Sequence, residues 1–493
     1  MRRAGPRWGL PLLAAALGAA GCITVGPDYQ KPALLAEPRP VEVVSAKEAA
    51  FSRASPDGPW WKLYDDAALD GFVQQALEHN RDLAVAAANL TRARAVLDEV
   101  RAARSPSATV EAGVSYNLAA AAASGLPEPL SPVGRFDAGF SVAYQLDLFG
   151  RIRRGIEASN ADLEASRATY DASRITVVAE TARAYADACI AGHQLEVAQR
   201  TVKLFEESLL LTERQVKAGR LGGLDVVRAR AQVSQTRAAL PPLQAAQKGA
   251  LFRLAVLTGH PPSEAPLQVA SCTTPPRLTS VLPTGDGVGF LRRRPDIRGA
   301  ERRLAAATAR IGVSVADLYP AVSLGVSAGL TSLTAEGFAS DRALRFGLGP
   351  LIRWTAPNGA PQARIRQAEA ATQAAAADFD RVVLGALREL ETALTGYARE
   401  LERNAELVVA RDQSAEAVRL ARQLLAAGAS GTLDVLDAER TLATADAALA
   451  VSDGALSSQQ IAIFLALGGG WETGQESPVA ARDAAPPAGS APR

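Results

Sequence analysis

Two carboxylates carry the most suggestive chemistry in this chain. Asp434 and Asp437 stand three residues apart, just beyond the small-residue run Gly428-Ala429-Ser430-Gly431. On a helix, positions i and i+3 share one face. A pair so placed attracts cations, and like charges brought together raise carboxylate pKa values. The alternative is plain capping, because Asp favours helix N-termini electrostatically. Asp225 stands in a matching context but has Arg228 three residues on, so the two places are electrostatically unequal. Nothing in the sequence suggests bond-making chemistry. His79, His193 and His260 are scattered and form no ligand pattern. There is no phosphate-binding Gly-Lys-Ser/Thr loop and no nucleophile-elbow motif. The chain reads as a non-enzyme with no metal and no other cofactor, beyond cations drawn to Asp434 and Asp437.

The segments around these carboxylates occur twice. Gly219-Arg220-Leu221-Gly222-Gly223-Leu224-Asp225-Val226 matches Gly428-Ala429-Ser430-Gly431-Thr432-Leu433-Asp434-Val435. Asn80-Arg81-Asp82-Leu83 matches Arg294-Pro295-Asp296-Ile297, Arg151-Ile152-Arg153 matches Arg364-Ile365-Arg366, and Leu257-Thr258-Gly259 matches Leu467-Gly468-Gly469. The offset stays near ~210 residues, which implies two structural halves related by approximate symmetry.

Composition sets the class. The chain has 493 residues, 48% hydrophobic and only 5% aromatic, with a formal net charge of +1. That balance gives no electrostatic footprint for nucleic acid. Arg2, Arg3 and Arg7 precede a short apolar stretch, Leu10 to Ala20, that ends at Ala19-Ala20-Gly21-Cys22. This reads as a secretory signal over 1–21, too short to span a bilayer. Small residues followed at once by Cys22 resemble a bacterial lipobox, which makes Cys22 the lipidated first residue of the mature chain. An ordinary signal with an incidental Cys is the alternative. Cys189 falls in a helical pattern and Cys272 in a loop; their spacing does not support a disulfide, so buried or free thiols are expected.

Six segments follow. Residues 1–21 are the signal, and 22–64 form a Pro-rich, extended, lipidated arm. Residues 65–259 are a first repeat and 260–290 a linker. Residues 291–471 are a second repeat, and 472–493 a disordered tail. Within the first repeat a helical pattern runs from about Asp65 to Arg104. Strands follow at about 107–117 and 136–146, then a long helical hairpin at about 151–258. The second repeat places strands at about 321–331 and 344–354 and a hairpin at about 362–467. Ala108, Val110, Ala112, Val114 and Tyr116 alternate with polar or small residues, as do Phe136, Ala138, Phe140, Val142 and Tyr144. From Arg151 to Ala218, and again from Gln362 to Ala427, there is no Pro. Such segments span roughly 100 Å at ~1.5 Å per residue, the length of a coiled coil or a helical tube. Leu387, Leu390, Leu394, Tyr397 and Leu401 follow a heptad seam. Pro241-Pro242 must kink the first returning helix.

Four amphipathic strands cannot close a barrel, and an open edge in hydrocarbon leaves unpaired backbone groups that cost several kcal/mol each. If these strands enter a membrane, several chains must share one barrel. A homotrimer supplies 12 strands from four per chain, and 12 long helices for a tube. Three-fold symmetry would gather the Asp434 and Asp437 carboxylates at the narrow end. A soluble sheet is the alternative for the strands alone.

At this point the residues resemble the TolC-like outer membrane factor family, in its efflux lipoprotein branch serving resistance-nodulation-division pumps. Cys22 followed by Gly26-Pro27-Asp28-Tyr29-Gln30-Lys31-Pro32 is similar to the branch's N-terminal signature. Arg293-Arg294-Pro295-Asp296-Ile297-Arg298 with Glu301 is similar to its second-half signature. Gly428, Asp434-Val435-Leu436-Asp437-Ala438 and Arg440 resemble its second hairpin turn. The resemblance implies a mixed, mainly α membrane protein. Four transmembrane β-strands per chain would build a trimeric 12-stranded barrel, continued by a long periplasmic helical barrel. It also implies a periplasmic adaptor, an inner-membrane proton-driven transporter behind it, and a site in the outer membrane. It assigns Asp434, Asp437 and Asp225 to a periplasmic gate. Gly219, Leu221, Gly222 and Gly223, with Gly428, Ser430 and Gly431, become candidate adaptor contacts; a plain Gly-rich turn is the alternative. The family's gate also carries an Arg near the second turn, where this chain has Ser430. Arg292 to Arg294 and Arg298 read as a solvated charged face. Tyr116, Phe136, Tyr144, Phe149, Phe346 and Trp354 belong to the membrane boundary or to packing.

The expected function is a passive, lipid-anchored exit duct for drugs and other toxic small molecules. A protein-secretion channel of the same architecture and a pore-less periplasmic coiled-coil lipoprotein are the competing readings.

Overall fold

The structure, a computed structural model, describes residues 23–33, 43–54, 58–118, 131–285, 287–354 and 359–468. The expected signal segment, Cys22, residues 119–130 and the expected C-terminal tail lie outside them. The described residues pack as two compact units. One draws on the described residues within 1–32, 89–167 and 299–380, the other on those within 33–88, 168–298 and 381–468.

The first unit is built on an antiparallel sheet of β2 (Ser107–Asn117), β3 (Val133–Leu146), β5 (Ala321–Ser332) and β6 (Leu344–Arg353). A two-residue pair, β1 (Phe51–Ser52) with β4 (Leu282–Pro283), belongs to the second unit. The sheet order is β2-β3-β5-β6, so the two halves of the duplication meet at β3 and β5 and each outer strand keeps a free edge. β3 starts earlier than its hydrophobic alternation announces, because Val133, Gly134 and Arg135 still pair with Asn117, Tyr116 and Ser115. The register keeps parity across all four strands. Rows such as Val110, Phe140, Ala328 and Phe346 lie on one face, and rows such as Glu111, Gly139, Gly329 and Arg345 on the other.

The helices follow the duplication. In the first half, α1 (Ala67–His79) and α2 (Arg81–Ala102) replace the single helix expected there. The break falls at Asn80. Its side-chain oxygen accepts from the Leu83 backbone at 3.0 Å, and its amide donates to the Leu257 carbonyl at 3.0 Å. The long helix α3 (Arg151–Lys217) then turns into α4 (Gly223–Arg237) and α5 (Leu240–Leu257). Pro241 and Pro242 sit in the first turn of α5, where a missing N–H costs nothing, so the expected kink is a clean break. In the second half α6 (Gly287–Arg293) and α7 (Pro295–Ala316) break at Arg294. The helix α8 (Ala360–Ala426) is followed by an uninterrupted α9 (Thr432–Leu467). Arg294 donates to the Ala466 carbonyl at 2.7 Å. Both halves thus use the side chain at the break to hold the end of their own returning helix.

Of the heptad seam, Leu390, Leu394 and Tyr397 are 2%, 0% and 4% exposed, while Leu387 and Leu401 are half-buried. Trp60 stacks on Phe464 at 4.9 Å, and Phe51 meets Tyr397 at 6.1 Å.

The expectation of unpaired thiols is overturned. Cys189 and Cys272 form a disulfide, with Cα atoms 4.8 Å apart across 83 residues of sequence. The linker folds back onto α3 where Gly192 has no Cβ to collide with the Cys272 carbonyl. Gln247 donates to the Ala270 carbonyl at 2.9 Å and fixes the approach. Spacing along the chain carried no sign of this fold-back.

Candidate functional site

The four-stranded sheet separates charge from hydrocarbon. Glu111, Arg135, Asp137, Arg345 and Arg353, every charged residue of the four strands, fall on the odd-numbered face. The even-numbered face carries Val110, Tyr116, Phe140, Phe346, Leu348 and Ile352, and each is exposed. Val110 and Phe346 are 78% and 71% accessible. A soluble sheet would cover such a face. Its free edges on β2 and β6 remain to be paired, which only further strands can do in hydrocarbon. Of the aromatics noted in the sequence, Tyr116, Tyr144, Phe346 and Trp354 are exposed, while Phe149 stacks on Tyr319 at 4.4 Å.

In the second unit, two helical turns repeat each other in detail. Gly219 and Gly428 both adopt φ of +70°, a conformation that favours glycine. Arg220 N–H donates to the Gln215 carbonyl at 2.9 Å, and Ala429 N–H to that of Leu424 at 2.8 Å, so both helices end in a Schellman motif. Gly222 and Gly431 then open α4 and α9 in extended conformation. Asp225 Oδ2 accepts from the Gly222 N–H at 3.2 Å, and Asp434 Oδ2 from that of Gly431 at 3.0 Å.

Asp434 has one further partner. The Ser430 hydroxyl donates to its Oδ2 at 2.8 Å. This hydroxyl, followed by the Gly431 N–H, holds the Asp434 carboxyl below the usual carboxylate range. Within one chain Asp434 and Asp225 therefore do what the capping alternative describes, and the shift at Asp434 runs opposite to the one a carboxylate ring would cause. Asp437 differs. It is exposed, two residues from buried Val435 and Glu439, and its carboxylate has no hydrogen-bond partner among the described residues. The capping turn thus leaves Asp437 open. Asp225 and Arg228 line a small crevice with Thr212, Thr432, Leu433 and Leu436. Gly219, Gly222, Gly223, Gly428 and Gly431 are exposed, while Leu221 and Ser430 are half-buried.

The arginine motif is not the solvated face expected of it. Arg292 and Arg298 are exposed, but Arg294 is 8% exposed. It pairs with Asp296 at 2.7 Å and Glu389 at 2.9 Å and lies over the Phe290 ring at 5.7 Å. Its burial is possible because each of its three nitrogens has a partner. Sequence reasoning missed Arg154, which seats the N-terminal motif. Arg154 donates to the Val25 and Gly26 carbonyls at 3.2 Å each and pairs with Asp28 at 2.7 Å. The Tyr29 hydroxyl donates to Glu301, which also pairs with Arg302. The only signal was that Arg154 directly follows a repeated Arg-Ile-Arg.

The chain matches the family model described as outer membrane efflux protein over residues 72–260 and 289–469, the two halves of the duplication. It belongs to the outer membrane efflux protein family. It is 29% identical to the probable outer membrane lipoprotein SilC of Salmonella typhimurium, covering 92% of this chain and 96% of SilC. It is 31% identical to the solvent efflux pump outer membrane protein SrpC of Pseudomonas putida, covering 92% and 97%. The solved outer-membrane channel OprN superposes with a TM-score of 0.85 at 38% identity, over 91% of this chain and 99% of OprN.

This outer membrane efflux protein therefore shares the trimeric TolC-like channel fold, mainly α-helical, in which strands from three chains close one barrel continued by helices. The two-faced sheet then has one arrangement open to it: even-numbered residues toward lipid, odd-numbered residues toward the lumen. The protein is an outer-membrane exit duct, and its relatives are channels rather than enzymes.

Proposed function

We propose that this efflux protein is the passive, outermost part of a tripartite pump that exports small organic molecules. The two-faced sheet with unpaired outer edges supports this most directly, since it needs identical neighbours to exist in lipid. The name of SrpC supports solvents and similar compounds as cargo. In this reading Cys22 is the lipidated first residue of the mature chain. The two turns meet a periplasmic adaptor, with Gly219, Leu221, Gly222 and Gly223 in one and Gly428, Ser430 and Gly431 in the other. Exposed, small residues with accessible backbone support that role. The adaptor in turn connects the duct to an inner-membrane proton-driven transporter, which supplies the energy.

Asp437, with Asp434 and Asp225 beside it, forms the periplasmic gate. The support is that the Asp437 carboxylate projects from the turn with no hydrogen-bond partner among the described residues, so three copies repel unless a cation or a partner neutralises them. Reconstitution of the lipidated trimer in a planar bilayer tests the reading. Stepwise conductance that grows when Asp434 and Asp437 are both changed to Ala is expected. Absence of conductance steps favours a structural lipoprotein. Export of a folded polypeptide in place of small molecules favours a secretion channel.

A further inference from the structure

On the odd-numbered face of the sheet one row carries opposite charges at its two ends. Glu111 on β2 is followed across the strands by Gly139, Gly329 and Arg345 on β6. Arg345 does not stand upright from the wall. A Cβ at Gly139, two strands away, would lie 2.6 Å from its Nη2, and one at Gly329 would lie 3.2 Å from the same atom. The guanidinium therefore reaches over both glycines, and a side chain at Gly139 would displace it. The nearby carboxylate of Asp137 pairs with Arg135 at 2.6 Å and accepts from the Thr331 hydroxyl at 2.6 Å, and it feels the Arg345 charge without a direct contact. Arg345 makes no direct ion pair or hydrogen bond with any described residue. Its neighbours on the same face, Gly325, Ser327, Gly347 and Gly349, are all small.

We propose that Arg345, laid over Gly139 and Gly329, is the charge-selecting residue of the barrel lumen. Three copies form a cationic collar that favours anionic and neutral solutes over cations at that level. Asp137, which feels the Arg345 charge, and Glu111, on the far side of the two glycines, are the counter-charges that keep the collar from binding an anion permanently. The assignment rests on the duct reading for the orientation of the sheet, and on the glycine-floored row for the role of the residue. Arg345 is exposed on this face, and a guanidinium held over a bare backbone floor is a charge fixed in position toward passing solutes.

The test uses the full-length trimer in intact outer membranes, with single cysteines added. Ser327→Cys lies on the polar face beside Arg345, and Leu348→Cys on the apolar face. Each is labelled from outside with a sulfonate-bearing methanethiosulfonate and with its trimethylammonium counterpart. Ser327→Cys should react and Leu348→Cys should not. Adding Arg345→Gln to Ser327→Cys should lower the anionic-to-cationic rate ratio about three- to tenfold, as expected for removing one unit charge per chain within a Debye length. Gly139→Leu, which evicts the arm without removing the charge, should lower it less. An unchanged ratio in Arg345→Gln overturns the proposal, as does reaction at Leu348→Cys in place of Ser327→Cys. Labelling from outside does not require an open periplasmic gate, so failure of the collar is distinguishable from a duct that conducts nothing.

Discussion

Arg422 in α8 clamps Glu439 in α9 from above: its Nε and Nη2 both donate to Glu439 Oε1, at 3.2 and 2.7 Å, and Glu439 is 1% exposed. The first repeat makes the same bond with the signs exchanged. There the carboxylate, Glu213, is on the outgoing helix and Arg230 on the returning one, again through Nε and Nη2 to one oxygen, at 3.3 and 2.8 Å. The duplication has kept the geometry of an inter-helix ion pair just above each turn while inverting its polarity. The environments differ too. Glu213 is partly exposed, whereas Glu439 is sealed, with Oε2 buried and unpartnered.

Loss of a partner should therefore cost unequal amounts in the two halves. Arg422→Met leaves a buried carboxylate uncompensated and should destabilise the second hairpin by about 2–4 kcal/mol. Arg230→Met removes a solvent-exposed pair and should cost below about 1 kcal/mol. The exchange Arg422→Glu with Glu439→Arg copies the arrangement of the first repeat and should recover part of the loss. Thermal unfolding of the detergent-solubilised trimer, followed by circular dichroism, ranks the variants; equal midpoints for Arg422→Met and Arg230→Met would contradict the burial argument.

Much of this architecture was legible because it is periodic. Alternation in Val110, Val114 and Phe140 fixed which strands exist and which face is apolar, since a period of two tolerates little else. The absence of Pro announced α3 and α8, and the glycines at 219 and 428 announced the turns. What was not legible depends on contacts distant in sequence. Asn80 looks like an ordinary helical residue until its bond to the Leu257 carbonyl is seen. Arg294 looks solvated until Glu389, 95 residues on, closes over it. Of the candidate gate, the turn and the capping by Asp225 and Asp434 follow from residue type. That Ser430, which stands where the family has a basic residue, bonds to Asp434 follows only from the structure.

The disulfide gives a second prediction. A link across 83 residues restricts the unfolded chain and should add about 4 kcal/mol by loop entropy. Cys272→Ser should lower the thermal midpoint, and so should a reductant applied to the parent chain. The mature protein should migrate faster on denaturing gels without reductant than with it. Identical mobility, with two thiols free to label after unfolding, would show that the link does not form.

Arg154 and Glu301 should govern how firmly the N-terminal motif is seated. Arg154→Ala strips the donors from the Val25 and Gly26 carbonyls and should expose residues 23–32 to protease in intact vesicles. At Glu301 burial alone would raise the carboxyl pKa, but hydrogen bonds from Arg302 and Tyr29 outweigh it and hold it low. A depressed folded-state pKa gives stability that is present above the ordinary carboxylate range and is lost as pH falls through the lowered value. Tyr29→Phe removes one of those donors, so protection of the segment should fail at a higher pH in this variant than in the parent. Coincident pH profiles would show that Tyr29 does not sustain the clamp.

Asp434 obeys the same sign, with a consequence for opening. Its carboxyl is held low first by the Ser430 hydroxyl and then by the Gly431 N–H, so the capped turn persists at neutral pH and is lost only as acid reaches the lowered pKa. Ser430→Ala removes the larger cause and should move that acid transition upward. Asp437 has no such donor, so its charge stays open to a cation or a partner. Single-channel recordings at neutral pH should show a cation preference that Asp437→Asn weakens. Ser430→Ala should leave that preference in place and shift only the acid transition of the turn. If Asp437→Asn leaves the cation preference untouched, the turn is only a cap and the constriction lies elsewhere.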